Sequence, residues 1–123
     1  MTFIEYLQKI KDKRIFIDKC SGNNGDFLIW LGMQEVLKKV SLKVEECIEQ
    51  AEIIIINGGG MFIDAYGQGI DKVVYYTEKY PNIELCIAPN SFYFKKIDFE
   101  SVLKLRVSPM VIFSREKFSL KYI

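Results

Sequence analysis

The chain has 123 residues, 50% of them apolar and 27% charged, with 17 Lys+Arg against 16 Asp+Glu and no histidine. The length fits one domain that buries roughly two thirds of its unfolded surface, and a net charge of +1 lacks the basic excess of a nucleic-acid binder. Without histidine there is no Ser-His or Cys-His dyad, no histidine-bearing zinc site and no imidazole acid or base, so proton transfer falls to Asp, Glu, Lys, Tyr, Cys or another chain. The densest apolar stretch, Phe27-Leu-Ile-Trp-Leu31, is far below the ~20 residues that cross a bilayer. The start, Met1-Thr-Phe-Ile-Glu-Tyr6, carries an acid and no apolar core, which excludes a secretory signal. Cys20, Cys47 and Cys86 form no CxxC pair, and an odd count of three predicts reduced thiols in a cytoplasmic protein.

In chain order, Thr2 caps a short helix over Phe3, Ile4, Leu7 and Ile10, with Glu5 placed to complete a capping box. Arg14-Ile-Phe-Ile-Asp18 reads as a buried strand, followed by the polar loop Lys19-Cys-Ser-Gly-Asn-Asn-Gly25. From Leu28 to Val40 the apolar residues recur with helical spacing, which makes Asp26 the expected N-cap. Leu42-Lys-Val-Glu45 is a short strand, and residues 46–51 are one or two helical turns. Ile53-Ile-Ile-Ile56 is apolar without alternation, as in a central parallel strand covered on both faces. It runs into Asn57-Gly-Gly-Gly60, read as a loop. A helix over residues 70–80 stops at Pro81. Glu84-Leu-Cys-Ile-Ala88 is a strand closed by the loop Pro89-Asn-Ser91. A helix capped by Asp98 runs to Arg106, and Met110-Val-Ile-Phe113 is a fifth strand. Strands separated by helices predict a doubly wound, mainly parallel five-stranded α/β sheet with helices on both faces. Ligands bind such sheets beyond the carboxyl ends of the strands, so the loops at 21–26, 57–60, 89–91 and 114–116 are expected on one rim.

Each loop has a chemical and a plain structural reading. The Gly22-Asn-Asn-Gly25-Asp26 loop could hold an anion on backbone N–H groups at a helix start, or it is a tight turn with Asp26 as cap. It matches neither GxGxxG nor a P-loop. Three consecutive glycines at 58–60 exceed what a turn needs, so the backbone either approaches a ligand or packs closely against the first loop. Asp64 either accepts from a sugar hydroxyl or caps the next segment. Arg115 either clamps a carboxylate or phosphate, or pairs with Glu116 at the surface. Phe92-Tyr-Phe94 is a stacking platform or core, Trp30 is expected in the core, and Cys20 beside Lys19 is the one candidate thiolate.

Taken in order, Gly22-Asn-Asn-Gly25-Asp26, Ala51-Glu-Ile-Ile-Ile-Ile-Asn57-Gly-Gly-Gly60-Met-Phe-Ile-Asp64, Ala88-Pro-Asn-Ser-Phe92 and Phe113-Ser-Arg115-Glu116-Lys-Phe-Ser119 resemble the polysaccharide pyruvyl transferase family. The resemblance implies a Rossmann-like domain like the N-terminal half of a GT-B enzyme. It implies transfer of pyruvate from phosphoenolpyruvate to a glycan acceptor as a ketal, with no cofactor and no metal. Carried over, Gly22, Asn23, Gly25 and Asp26 form a first cleft loop; Asn57, Gly58, Gly59 and Gly60 form a second; Asp64 and Ser91 join the substrate site. Arg115 is the arginine that meets phosphoenolpyruvate, and Ser119 closes the Arg-Glu-x-x-Ser pattern. The chain departs from the family in lacking a histidine and a second domain, and in carrying Asn90 where many members have glutamine.

These departures lead to the expectation that the chain alone has no transferase activity. The resemblance also implies a cytoplasmic enzyme, free or at the inner face of the membrane. Two other readings stay open. One is a stand-alone glycan-binding or scaffold module, dimeric through an uncovered cleft face. The other is half of a nucleotide-sugar glycosyltransferase, because fold does not dictate donor.

Overall fold

A computed structural model describes residues 1–19, 24–63, 68–93 and 99–114. The first helix, α1 (Phe3–Lys9), starts as the sequence predicts: the Thr2 hydroxyl accepts from the Glu5 N–H at 3.1 Å, and the Glu5 carboxylate accepts from the Thr2 N–H. Strand β1 (Arg14–Asp18) leads to helix α2 (Asn24–Val40), the two-residue strand β2 (Lys43–Val44) and a 3-10 turn at Ile48–Gln50. Then come β3 (Ile53–Ile56), β4 (Gly59–Ile63), α3 (Gln68–Lys79), β5 (Glu84–Tyr93), α4 (Phe99–Leu103) and β6 (Met110–Ser114).

All pairings are parallel: β1 lies between β2 and β3, and β5 pairs with β3, β4 and β6. Ile56 registers with Ile87 and Gly59 with Asn90, so β4 continues the line of β3 along the same side of β5. Asn90 also registers with Ser114, which puts β6 on the other side. The layer is therefore five strands wide, in the order β2, β1, β3 with β4, β5, β6. The chain moves outward from β1 to β2, then returns past β1 to β3, which makes the β1–β3 crevice the topological switch point.

The isoleucine run alternates between two cores. Ile54 and Ile56 pack with Val73 and Tyr76 of α3 and Leu85 and Ile87 of β5; Ile53 and Ile55 pack with Tyr6, Leu7 and Met33 beneath α1 and α2. All four are at most 1% exposed, as a strand covered on both faces requires. Burial at this level contributes about 1.5–3 kcal/mol per side chain.

Helix α3 begins at Gln68 rather than residue 70 and α4 ends at Leu103 rather than Arg106, and three further differences bear on the site. Helix α2 begins at Asn24, so Asp26 lies inside its first turn rather than at the cap. Gly59 and Gly60 open a strand rather than closing a loop, because β5 extends beyond Ala88 and offers them a partner. Pro89, Asn90 and Ser91 lie within β5. Proline has no N–H for a ladder, and Pro89 falls where the β5–β6 register shifts between Ile87 and Asn90. The shift reverses the alternation, so Phe92 joins the same core as Leu85 and Ile87 despite its even spacing from Cys86. The Asp98 cap and the tail from Arg115 onward lie outside the described residues. No described helix is long and apolar enough to cross a membrane.

Candidate functional site

The carboxyl ends of β1, β3 and β5 meet through two buried asparagines. The Asn57 N–H donates to the Asp18 carbonyl at 2.9 Å, and its side-chain amide donates to the Lys19 carbonyl at 3.2 Å. The Asn90 amide donates to the carbonyls of Ala88 and Asn57, at 2.7 and 3.2 Å. Asn57 and Asn90 are at most 1% exposed, so these bonds fix three strand ends relative to one another. The Asn90 Oδ1 atom is buried and has no hydrogen-bond partner among the described residues.

Between β3 and β4 the backbone passes Pro89 closely. A Cβ on Gly58 would lie 2.7 Å from the Pro89 carbonyl oxygen and 3.5 Å from Ile29 Cγ2. Gly59 adopts φ 154°, a conformation that side-chain-bearing residues rarely take. Close packing is thus one reason for these glycines, and the surface they meet is β5. They also floor a small apolar cavity of about 240 Å³, walled by Phe3, Ile29, Met33 and Pro89.

A larger groove, about 900 Å³, follows the open edge of β1. Among the described residues, β2 registers only with Arg14 and Ile15, and no strand neighbours Phe16 to Asp18 on that side. Asp18 sits at the carboxyl end of β1, beside the switch point. Lys72 of α3 donates to both of its carboxylate oxygens, at 2.8 and 2.7 Å, and the Tyr76 hydroxyl donates to Oδ2 at 2.6 Å. The Asp18 side chain is 14% exposed and that of Lys72 29%, so the pair is largely withdrawn from water while facing the groove. On the other face of β1, the Lys19 ammonium lies over the Trp30 ring at 5.2 Å. Trp30 is half-buried against the α1–α2 core and also lines the groove.

Of the residues singled out from sequence, Asn57, Gly58 and Gly59 come together at this edge. Gly60 lies in β4 and Ser91 in β5, while Gly25 and Asp26 lie in the first turn of α2. Gly22, Asn23, Asp64, Arg115 and Ser119 lie outside the described residues, as does Cys20. Phe92 is fully buried, so it is core rather than a platform. Sequence reading missed Asp18, Lys72 and Tyr76. The available signal was the charge closing β1, together with Lys72 and Tyr76 four residues apart on one helix face.

The other described cysteines are not poised as nucleophiles. Burial, then the nearby Glu84 carboxylate, push the Cys86 thiol well above its ordinary range. The exposed Cys47 thiol donates to Glu49 at 3.0 Å, which also raises it. Thiolates need the opposite environment. No cluster of metal-ligating side chains occurs among the described residues.

No protein-family model matches the chain, and no curated protein matches it in sequence. Among solved structures, it is similar to a functionally uncharacterized protein from Klebsiella pneumoniae subsp. pneumoniae NTUH-K2044. The TM-score is 0.77 and the identity 20%, over 98% of this chain and 47% of that one. The chain therefore spans about half the length of the structure it matches. At this identity the likeness establishes the Rossmann-like α/β fold.

Proposed function

We propose that the chain forms one wall of the substrate cleft of an enzyme similar to the polysaccharide pyruvyl transferases, with the rest of the active site supplied from outside it. The observation that carries the reading is the convergence of strand ends: the Asn57-Gly58-Gly59 and Pro89–Asn90 segments, both within the motifs that resemble this family, meet the Asp18 end of β1 at one edge beside a groove. The span of 47% of a larger solved protein also supports a half-site.

The reaction joins two sugar hydroxyls to C2 of phosphoenolpyruvate. A proton is delivered to the methylene carbon, the first hydroxyl adds at C2, phosphate departs, and the second hydroxyl closes the ketal. It requires cations for carboxylate and phosphate and an acid for the methylene carbon. Arg115, the residue after Ser114 and hence next in sequence to the β6 end that registers with Asn90, is our assignment for one cation. Asp18 and Asn57 organise the wall on which the sugar rests. No described residue stands out as the acid, and we expect the 123-residue chain alone to form no ketal. The cytoplasm supplies phosphoenolpyruvate, and a glycan acceptor would place the reaction there or at the inner face of the membrane.

The test is titration of the chain with phosphoenolpyruvate and with UDP- and GDP-sugars, alongside an assay for pyruvate ketal on a glycan acceptor. Saturable phosphoenolpyruvate binding that Arg115→Ala removes supports the proposal. Binding of nucleotide sugars alone would sink it in favour of a glycosyltransferase half. A second reading, a self-associating module, is favoured by exposed Ile4, Leu28 and Leu31 on α1 and α2. A concentration-independent monomer in sedimentation would remove that alternative.

A further inference from the structure

We infer that the cavity of about 240 Å³ between α1, α2 and the ends of β3 and β5 binds a small uncharged hydrocarbon group, a ring or a chain end, which enters past Gly32. The cavity lies against a different face of α2 from the β1 groove. Ile29, Gly32, Met33 and Val36 line the cavity, whereas Trp30, Gln34 and Leu37 line the groove. The inference goes beyond the proposed function and does not rest on it.

The chemistry of the lining selects the ligand. Among the described residues no charged side chain borders the cavity, and Phe3, Ile29, Met33, Val36, Ala88 and Pro89 present apolar surface. Asn57 is the one polar side chain there. Its amide donates to the Lys19 carbonyl at 3.2 Å, and its backbone carbonyl accepts from the Asn90 amide. A carboxylate, phosphate or sugar entering this space would leave water without gaining matching hydrogen bonds. A hydrocarbon gives up no hydrogen bond on entry and gains from leaving water.

Gly32 is the second, independent observation. It sits in the middle of α2, where glycine weakens a helix relative to alanine. Close packing is the ordinary reason to keep such a residue, as it is for Gly58. At Gly32 that reason is absent: among the described residues, an added Cβ would meet nothing within 4 Å. Gly32 is exposed and also lines the cavity, so it marks the mouth, and a side chain there would grow into the opening.

The cavity is also held open. Small apolar voids are normally lost by collapse of their walls. Here the floor is backbone, fixed by the Gly58 approach to Pro89 and by the Asn90 amide bonded to the carbonyls of Ala88 and Asn57. Its volume exceeds the roughly 150 Å³ of an apolar cavity that stays dry and takes benzene. Outside the mouth the apolar surface continues, since Leu28, one turn before Gly32, is 65% exposed and Leu31 41%. A chain longer than the cavity would keep apolar contact beyond it.

The experiment is amide chemical-shift titration of the chain with benzene, for a ring, and with 1-hexanol, for a chain end, repeated with phosphoenolpyruvate present. The expected result is saturable shifts at Gly32, Met33, Gly58, Gly59 and Ala88 with at least one probe, undiminished by phosphoenolpyruvate. Benzene alone would assign a ring and hexanol alone a chain end, and either supports the inference. Gly32→Leu, which fills the mouth, should weaken binding by about tenfold or more. Gly32→Ala guards against variants that simply unfold, because it should raise the thermal midpoint by about 3–6 °C. No saturable shift with either probe, binding unchanged in Gly32→Leu, or displacement by phosphoenolpyruvate would each overturn the inference. Self-association that Gly32→Leu abolishes, with neither probe bound, would overturn it in favour of a second copy on this face. Phosphoenolpyruvate binding and ketal formation report on the proposed function separately, so the two can fail independently.

Discussion

The two edges of the sheet both bury polar side chains, yet they use them differently. At the amino edge the Tyr6 hydroxyl donates to Glu84 at 2.9 Å. The Arg106 guanidinium donates to the Thr77 hydroxyl and the Ile83 carbonyl, and the Ser108 hydroxyl donates to the Pro81 carbonyl. The first bond ties α1 to β5, the others stitch the end of α3 and the turn after it to the segment before β6, and none of the side chains that make them lines either cavity. At the carboxyl edge Asn57 and Asn90 play the same stitching part, but Asp18 and Lys72 line the groove. Buried polarity alone therefore does not mark a site. Our proposal rests instead on buried polarity that lines a groove beside the switch point of the sheet.

Substitutions at the two edges should separate stability from binding. The largest effect is expected from Gly58→Val, whose Cβ would meet the Pro89 carbonyl at 2.7 Å. Backbone cannot yield as a flexible side chain does, so denaturant unfolding should show a loss of about 3 kcal/mol. Next is Lys72→Met, which leaves Asp18 without its cation. Because the Lys72 side chain is 29% exposed, water offsets part of the loss, and about 2 kcal/mol is expected. This variant is also expected to lose ligand binding at the groove. A third substitution, Tyr6→Phe at the amino edge, should cost about 1 kcal/mol and leave binding untouched. If Tyr6→Phe weakened binding as much as Lys72→Met, the distinction between the edges would fail.

The amino edge also sets an alkaline limit. Burial first, then neighbouring Cys86 and Glu84, hold the Tyr6 hydroxyl neutral far above its ordinary value of 10.0, and burial does the same for Cys86 above 9.0. Above those values the unfolded chain releases protons that the folded chain retains. The stabilising contribution is complete below pH 9 and falls as pH rises beyond 9 and then 10. Tyr6→Phe should reduce the slope of stability against pH above 10, measurable by thermal melts across that range. The smallest effect concerns thiol reagents: Cys47, exposed, should react in the native protein, whereas buried Cys86 should react only on unfolding.

The parts of this fold carried by side-chain pattern were legible in the sequence. The unbroken Ile53–Ile56 run, the Thr2 capping box and the helical spacing after Leu28 all appear as read, because each depends on neighbours in the chain. Strand β4 was not legible, since Gly59 and Gly60 have no side chains to show a period and their strand character comes from pairing with a distant β5. Pro89 hid the extension of β5 for a related reason: only a register shift makes proline acceptable there. The Asp18–Lys72 pair joins residues 54 apart in sequence. Local pattern marks the residues, as a charge closing β1 and a Lys-Tyr pair on one helix face, but not their contact, which follows from the crossover that lays α3 against the end of β1.

We propose that the sugar ligand binds at the carboxyl edge, beside β1, and not elsewhere on the sheet. Amide chemical-shift mapping of the chain during titration with a neutral sugar tests it most directly. The predicted result is saturable shifts at Asp18, Lys19, Trp30, Lys72 and Tyr76, with Tyr6, Glu84 and Arg106 unmoved. Shifts confined to the amino edge, or none at the five groove positions, would contradict it.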